Sequence, residues 1–153
     1  MPHRNPEQQF NAVEELLTRW LKERREVLGK YTEIVVGMDG LLDQEALEKR
    51  QRLLCQLLVD YVSAGHFEVY HELLEEAESF ADGSSSLAEK LMPAIGDTTE
   101  VILAYEEKYT SANCDGGKLK RDLSALGEVL ESRFLLEDKL IAGLHNSHRR
   151  QQG

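Results

Sequence analysis

Glu68-x-x-His71 is the one stretch of this sequence spaced like half of a carboxylate–histidine metal site. A di-iron bundle needs that motif on two helices, and an inward Glu from each of two others. No second copy exists, and Glu68 falls near a core edge while His71 falls outside it. His145 and His148 lack a Glu at the matching spacing. Ser84-Ser85-Ser86 reads as the loop before a helix, and neither a Gly-x-Ser-x-Gly elbow nor a P-loop is present. Cys55 sits in an apolar helical run and Cys114 in a polar loop, without the spacing of a zinc site or a disulfide framework. They read as reduced thiols of a cytosolic protein. Nothing brings an acid, a base and a place for substrate together. The expectation is a non-enzyme with no catalytic residue, metal or cofactor.

The chemistry that does stand out is recognition. At about 100° per residue, Leu54, Leu58, Tyr61, Val62, Gly65, Val69 and Leu73 form one helical stripe, an ordinary core face. Nearly opposite fall Asp60, Ser63, Phe67, Tyr70, His71 and Leu74. Large apolar side chains recurring on a face that should be solvated mark an interaction site. Aromatics ringed by polar groups are what a binding hot spot requires. The alternative is a central helix that packs on both sides within its own bundle.

A complementary oddity lies near the end of the chain. Leu119, Leu123, Leu126, Leu130, Phe134, Ile141 and Leu144 make a stripe, and Arg133 and Glu137 fall in its middle. Buried charges are tolerated only when paired and hydrogen-bonded. The i, i+4 spacing lets these two pair, with Tyr61 or His66 completing a structural polar network. Such a network fixes register between the second and fourth helices more than it adds stability.

The elements that must position these groups are all helical. Pro6 to Val36 carries Phe10, Val13, Leu17, Trp20/Leu21, Val27/Leu28, Tyr31 and Ile34/Val35 at 3–4 spacing, with a weak patch at Lys22–Glu26. Asp43 is a plausible N-cap for a pattern that runs to Phe80. Ser86-x-x-Glu89 has the form of a capping box and opens the third helix. Pro93 lies in its first turns or at a kink. No period-two alternation or hairpin turn appears. The spacing predicts an all-α, single-domain, antiparallel four-helix bundle with long helices over about 6–36, 43–80, 86–110 and 118–148.

With 153 residues the chain can bury a genuine core. Its formal charge of −10 repels phosphates, which argues against direct binding of nucleic acid. The same charge steers a basic partner towards it. Lys22-Glu23-Arg24-Arg25 reads as a solvated helix face and His148-Arg149-Arg150 as a frayed terminus. The start of the chain has no apolar signal-peptide region, and no apolar stretch approaches the roughly 20 residues that span a bilayer. The expected location is the cytoplasm, away from membranes.

Two stretches carry a resemblance. Leu58-Val59-Asp60-Tyr61-Val62-Ser63-Ala64-Gly65-His66-Phe67-Glu68-Val69-Tyr70 resembles the signature of the regulator-of-sigma-D family, the anti-sigma proteins Rsd and AlgQ. The run from Leu126 to Ile141 is similar to the family's second block, and Arg19-Trp20-Leu21 and Cys55 also match. Thr18 departs from it, standing where the family usually has Asp, and the loops at 37–43 and 110–117 differ too. The resemblance implies a helical bundle that binds the primary sigma factor of RNA polymerase, chiefly its region four. It would keep that factor from the core enzyme as growth slows. Asp60, Ser63 and Phe67 would belong to the contact surface. A different reading is a non-catalytic signalling adaptor that uses the same face for another regulatory protein.

Overall fold

A computed structural model describes residues 4–40, 43–111 and 116–151, and among these all regular structure is helical. The first helix, α1, spans Pro6–Gly37. Asn5 caps it by accepting from the Gln8 backbone N–H at 2.8 Å, while the Gln8 side chain accepts from the Asn5 N–H at 3.1 Å. Two of the orphan donors of a helix start are thereby satisfied. Phe10, Val13, Leu17, Trp20, Val27 and Ile34 are buried. Of the paired candidates, Leu28 and Val35 face solvent. The weak patch has a cause: Arg24 passes through it to reach Asp138 at 2.9 Å and Glu137 at 3.5 Å. That basic run is therefore not simply a solvated face.

The second long rod is continuous in direction but not in winding. Helix α2 (Gln44–Ala64) is capped by the Asp43 carboxylate, which accepts from the Ala46 N–H at 2.8 Å. A π-helical turn follows at Gly65–Val69, and α3 (Tyr70–Phe80) completes the rod. Across the π turn the Tyr70 N–H bonds the Gly65 carbonyl, five residues back. One extra residue in a turn offsets all that follows by about one position, or roughly 100° of the helical wheel. Helix α3 ends at Ala81 in the left-handed conformation, φ 51°.

Helix α4 (Ser85–Ser111) begins one residue before the expected capping box. Ser86 donates its hydroxyl to the Gly83 carbonyl at 3.0 Å and does not cap the helix, while Asp82 accepts from the Ser84 N–H. Pro93 lies within the helix. Helix α5 (Gly116–Leu144) stops short of the expected residue 148, and Asn146–Gln151 form a 3₁₀ segment. The expected frayed terminus is instead docked: His145 and His148 are fully buried and Arg149 pairs with Glu14. Cys114 lies outside the described residues.

Each long helix runs back along its predecessor: Gln9 meets Glu72 while Glu33 meets Arg50, Gln51 meets Tyr105, and Tyr109 meets Asp122, and α4 packs on both α5 and α2. One apolar cluster runs through all of them, including Leu54, Leu58, Leu73, Ile102, Leu123 and Leu126. Each such side chain contributes roughly 1.5–3 kcal/mol on burial. No described helix is long and apolar enough to cross a membrane.

Candidate partner-binding surface

The π turn decides which side chains face out. Gly65 sits buried at its start, close under Trp20 and Tyr70; a Cβ there would lie 3.2 Å from Trp20 Cζ2 and from the Tyr70 hydroxyl. Before the turn the core positions are Leu54, Leu58, Tyr61 and Val62. After it they are Val69, Tyr70, Leu73, Glu76 and Ala77. The offset carries Tyr70 to the interior, where it is 4% exposed, against the expectation of an outward position. Leu74 is half-buried and packs against the core, so it too has left the outward face.

What remains outside is compact. Phe67 is 74% exposed, the most exposed of the large apolar side chains among the described residues. The His66 ring meets it edge-on at 4.8 Å between centroids. Asp60, Glu68 and His71 are exposed and Ser63 is half-buried. His71 lies 3.6 Å from Glu75, one turn on. Helix α1 supplies the opposite wall of a shallow groove, with Leu16 and Arg19 facing Phe67, Glu68 and Glu72. Arg4 and Gln9 tie that wall down through Glu72, at 3.3 and 2.6 Å.

The field at this face is negative. Burial, then the neighbouring carboxylates of Asp60, Glu26 and Glu68, push the Glu23 carboxyl above its ordinary value. One Glu23 oxygen is buried without a hydrogen-bond partner. Like charges close enough to oppose ionisation are also close enough to attract a single guanidinium or ammonium group. This acidic rim beside an exposed ring was only partly legible in the sequence: Glu23 comes from α1, and only folding sets it next to Asp60.

Behind the face lies the polar network. Arg133 and Glu137 are fully buried and pair at 3.0 Å. Arg133 also donates to Thr98 Oγ1 at 3.0 Å, Thr99 Oγ1 at 2.7 Å and the Tyr70 hydroxyl at 2.8 Å. Tyr70 in turn donates to Glu137 at 3.0 Å, and the Tyr61 hydroxyl donates to the other carboxylate oxygen. Tyr61 joins as expected, whereas His66 is exposed and takes no part; Tyr70 stands in the place assigned to it. Burial drives both phenols well above their ordinary value, with the Glu137 charge adding to it. They stay protonated donors. Burial also pushes the Glu137 carboxyl up, opposed by Arg133 and the two hydroxyls. The network spans α2, α3, α4 and α5, so it fixes their mutual register.

Sequence reasoning missed a second buried cluster. Glu76, His145 and His148 have no solvent exposure. The Glu76 oxygens bond His145 Nδ1 and His148 Nδ1, both at 2.5 Å. Among the described residues no group of three or more His, Cys, Asp or Glu is arranged to hold a metal ion.

Comparison with known proteins bears on this geometry. Residues 2–145 match the family model described as regulator of RNA polymerase sigma(70) subunit, Rsd/AlgQ. A protein called regulator of sigma D from Yersinia enterocolitica serotype O:8 is 33% identical over 142 residues, covering 88% of this chain and 83% of the relative. One of the same name from Pectobacterium atrosepticum is 33% identical over 141 residues, covering 86% and 89%. No solved structure matches.

Proposed function

We propose that this chain, which belongs to the Rsd/AlgQ family of regulators of the RNA polymerase sigma(70) subunit, binds the primary sigma factor through the surface around Phe67. Its target there is region four, a helix-turn-helix unit whose DNA-reading side is basic. Occupying region four keeps the factor from the core enzyme and lowers transcription from its promoters as growth slows. The protein acts in the cytoplasm, by binding and not by catalysis.

The observation that carries this reading is Phe67 itself, 74% exposed and set among carboxylates. An exposed ring gains affinity when a partner covers it, because its apolar surface is then removed from water. The Asp60 carboxylate accepts a charge-assisted hydrogen bond from an Arg or Lys of the partner. Ser63 is small and lets the partner backbone come near. His71 lies at the rim. The net charge of −10 speeds encounter at low salt.

Titration of the full chain with free primary sigma factor, or with its region four, tests this. Phe67→Ala should weaken the complex by about 2 kcal/mol, roughly thirtyfold, and Asp60→Ala by less. Both variants should keep the wild-type melting curve. Equal binding by both variants would place the contact elsewhere; no association of wild type even at low salt would remove the function.

A further inference from the structure

The Glu76 cluster involves none of the residues of the Phe67 surface, and its chemistry is of a different kind. His145 follows the last residue of α5 and His148 lies in the 3₁₀ segment. His145 presents Nδ1 to Glu76 at 2.5 Å and Nε2 to Glu14 of α1 at 3.2 Å. His148 presents Nδ1 to the other Glu76 oxygen at 2.5 Å and Nε2 to Asp82 at 2.9 Å, with the Ser84 hydroxyl at 3.5 Å. Each ring is also stacked on an aromatic: His145 on Phe10 at 4.2 Å, and His148 on Phe80 at 4.0 Å. Arg149 closes the group from outside by donating to both oxygens of Glu14.

The contacts fix how many protons the cluster needs. Four nitrogen–oxygen contacts join two imidazoles to three carboxylates. An ionised carboxylate only accepts, so with Glu14, Glu76 and Asp82 ionised each contact needs a proton on its ring nitrogen. Two neutral imidazoles carry one N–H each and leave two contacts with lone pair facing lone pair. Two imidazolium rings fill all four.

We propose that Glu76, His145 and His148 form a proton-dependent clasp, which locks the end of the chain onto α1 and α3 only while both rings carry two protons. Arg149 adds a permanent positive charge beside Glu14. The folded cluster binds more protons than the same groups released into solvent at a pH where free imidazoles are neutral. By linkage the clasp therefore weakens as pH rises. Opening it frees residues 145–151 and uncovers the Phe10 and Phe80 rings, which changes the apolar surface at this end of the molecule.

Long-range proton–nitrogen NMR correlation on the ¹⁵N-labelled full chain reads ring protonation directly. At neutral pH both His145 and His148 should show the pattern of a doubly protonated ring. On raising the pH that pattern should be lost, together with slow amide exchange in Asn146–Arg149 after correction for the intrinsic rate. In Glu76→Gln the side chain keeps one accepting oxygen and gains a donating amide, so one ring should convert to a single neutral tautomer. A neutral ring at either position in the wild type at neutral pH, with the segment still protected from exchange, overturns the clasp.

Discussion

Two clusters of charge lie inside this bundle with equal seclusion from water, and they are built to different rules. Around Arg133 every donor is permanent: the guanidinium keeps its charge, and burial holds the Tyr61 and Tyr70 hydroxyls protonated. Around Glu76 the donors are imidazoles, whose second proton is conditional. The first cluster joins the middle of four helices. The second joins only the chain end to its neighbours. Burial alone does not say whether a polar cluster is fixed or switchable; the residue type that supplies the protons does.

Removing one partner from each cluster exposes the contrast most sharply. Arg133→Met takes from buried Glu137 the guanidinium paired with it at 3.0 Å and leaves Arg24 at 3.5 Å, which costs about 3–5 kcal/mol, read as a shift of the urea midpoint. The double variant Arg133→Met with Glu137→Leu should recover only part of that loss, because it removes the uncompensated charge but takes from the buried Tyr61 and Tyr70 hydroxyls their acceptor. Glu76→Ala should cost less, about 1.5–3 kcal/mol, since His145 keeps Glu14 and His148 keeps Asp82 as hydrogen-bond partners. Its cost should also shrink as pH rises, and a pH-independent difference from wild type would erase the distinction between the clusters. Gly65→Ala should cost about 1 kcal/mol: the new Cβ presses on Trp20 and Tyr70 at 3.2 Å. It should disturb the Arg133 cluster, which contains Tyr70, and spare the His145 resonances.

The smallest effect belongs to the outer tether. The Arg149 hydrogen bond to Glu14 holds that carboxyl below its ordinary value, with His145 helping against burial. A lowered folded value stabilises above the ordinary carboxylate range and loses its effect as acid protonates Glu14. Glu14 is substantially exposed, so the contribution is screened. The difference in melting between Arg149→Ala and wild type should be small at neutral pH and vanish on acidification.

Much of this was readable from residue order. The stripes of α1 and α5 follow helical spacing, and Arg133 and Glu137 announce a buried pair because they interrupt such a stripe. The outward position of Asp60 and Phe67 is also legible, since both precede or sit within the π turn. Tyr70 and Leu74 depart from their expected outward positions because an angular count assumes constant winding, and one added residue breaks that assumption. A trace of it is present in the sequence: Gly65, Val69, Leu73 and Ala77 recur in steps of four with no compensating three. His145 and His148 have no Glu at the matching spacing beside them in the sequence. Their partner lies 69 and 72 residues away, beyond the reach of any local spacing rule.

The added residue at Gly65–Val69 makes the rod behave like a pair of gears keyed together. Deleting a single amino acid there would restore uniform winding and rotate everything downstream relative to everything upstream. Tyr70 would swing out of its bonds with Arg133 and Glu137, and Glu76 would turn away from both histidines. Relatives that vary freely in loop length should therefore keep this segment at constant length, because one indel would disengage both interior clusters at once.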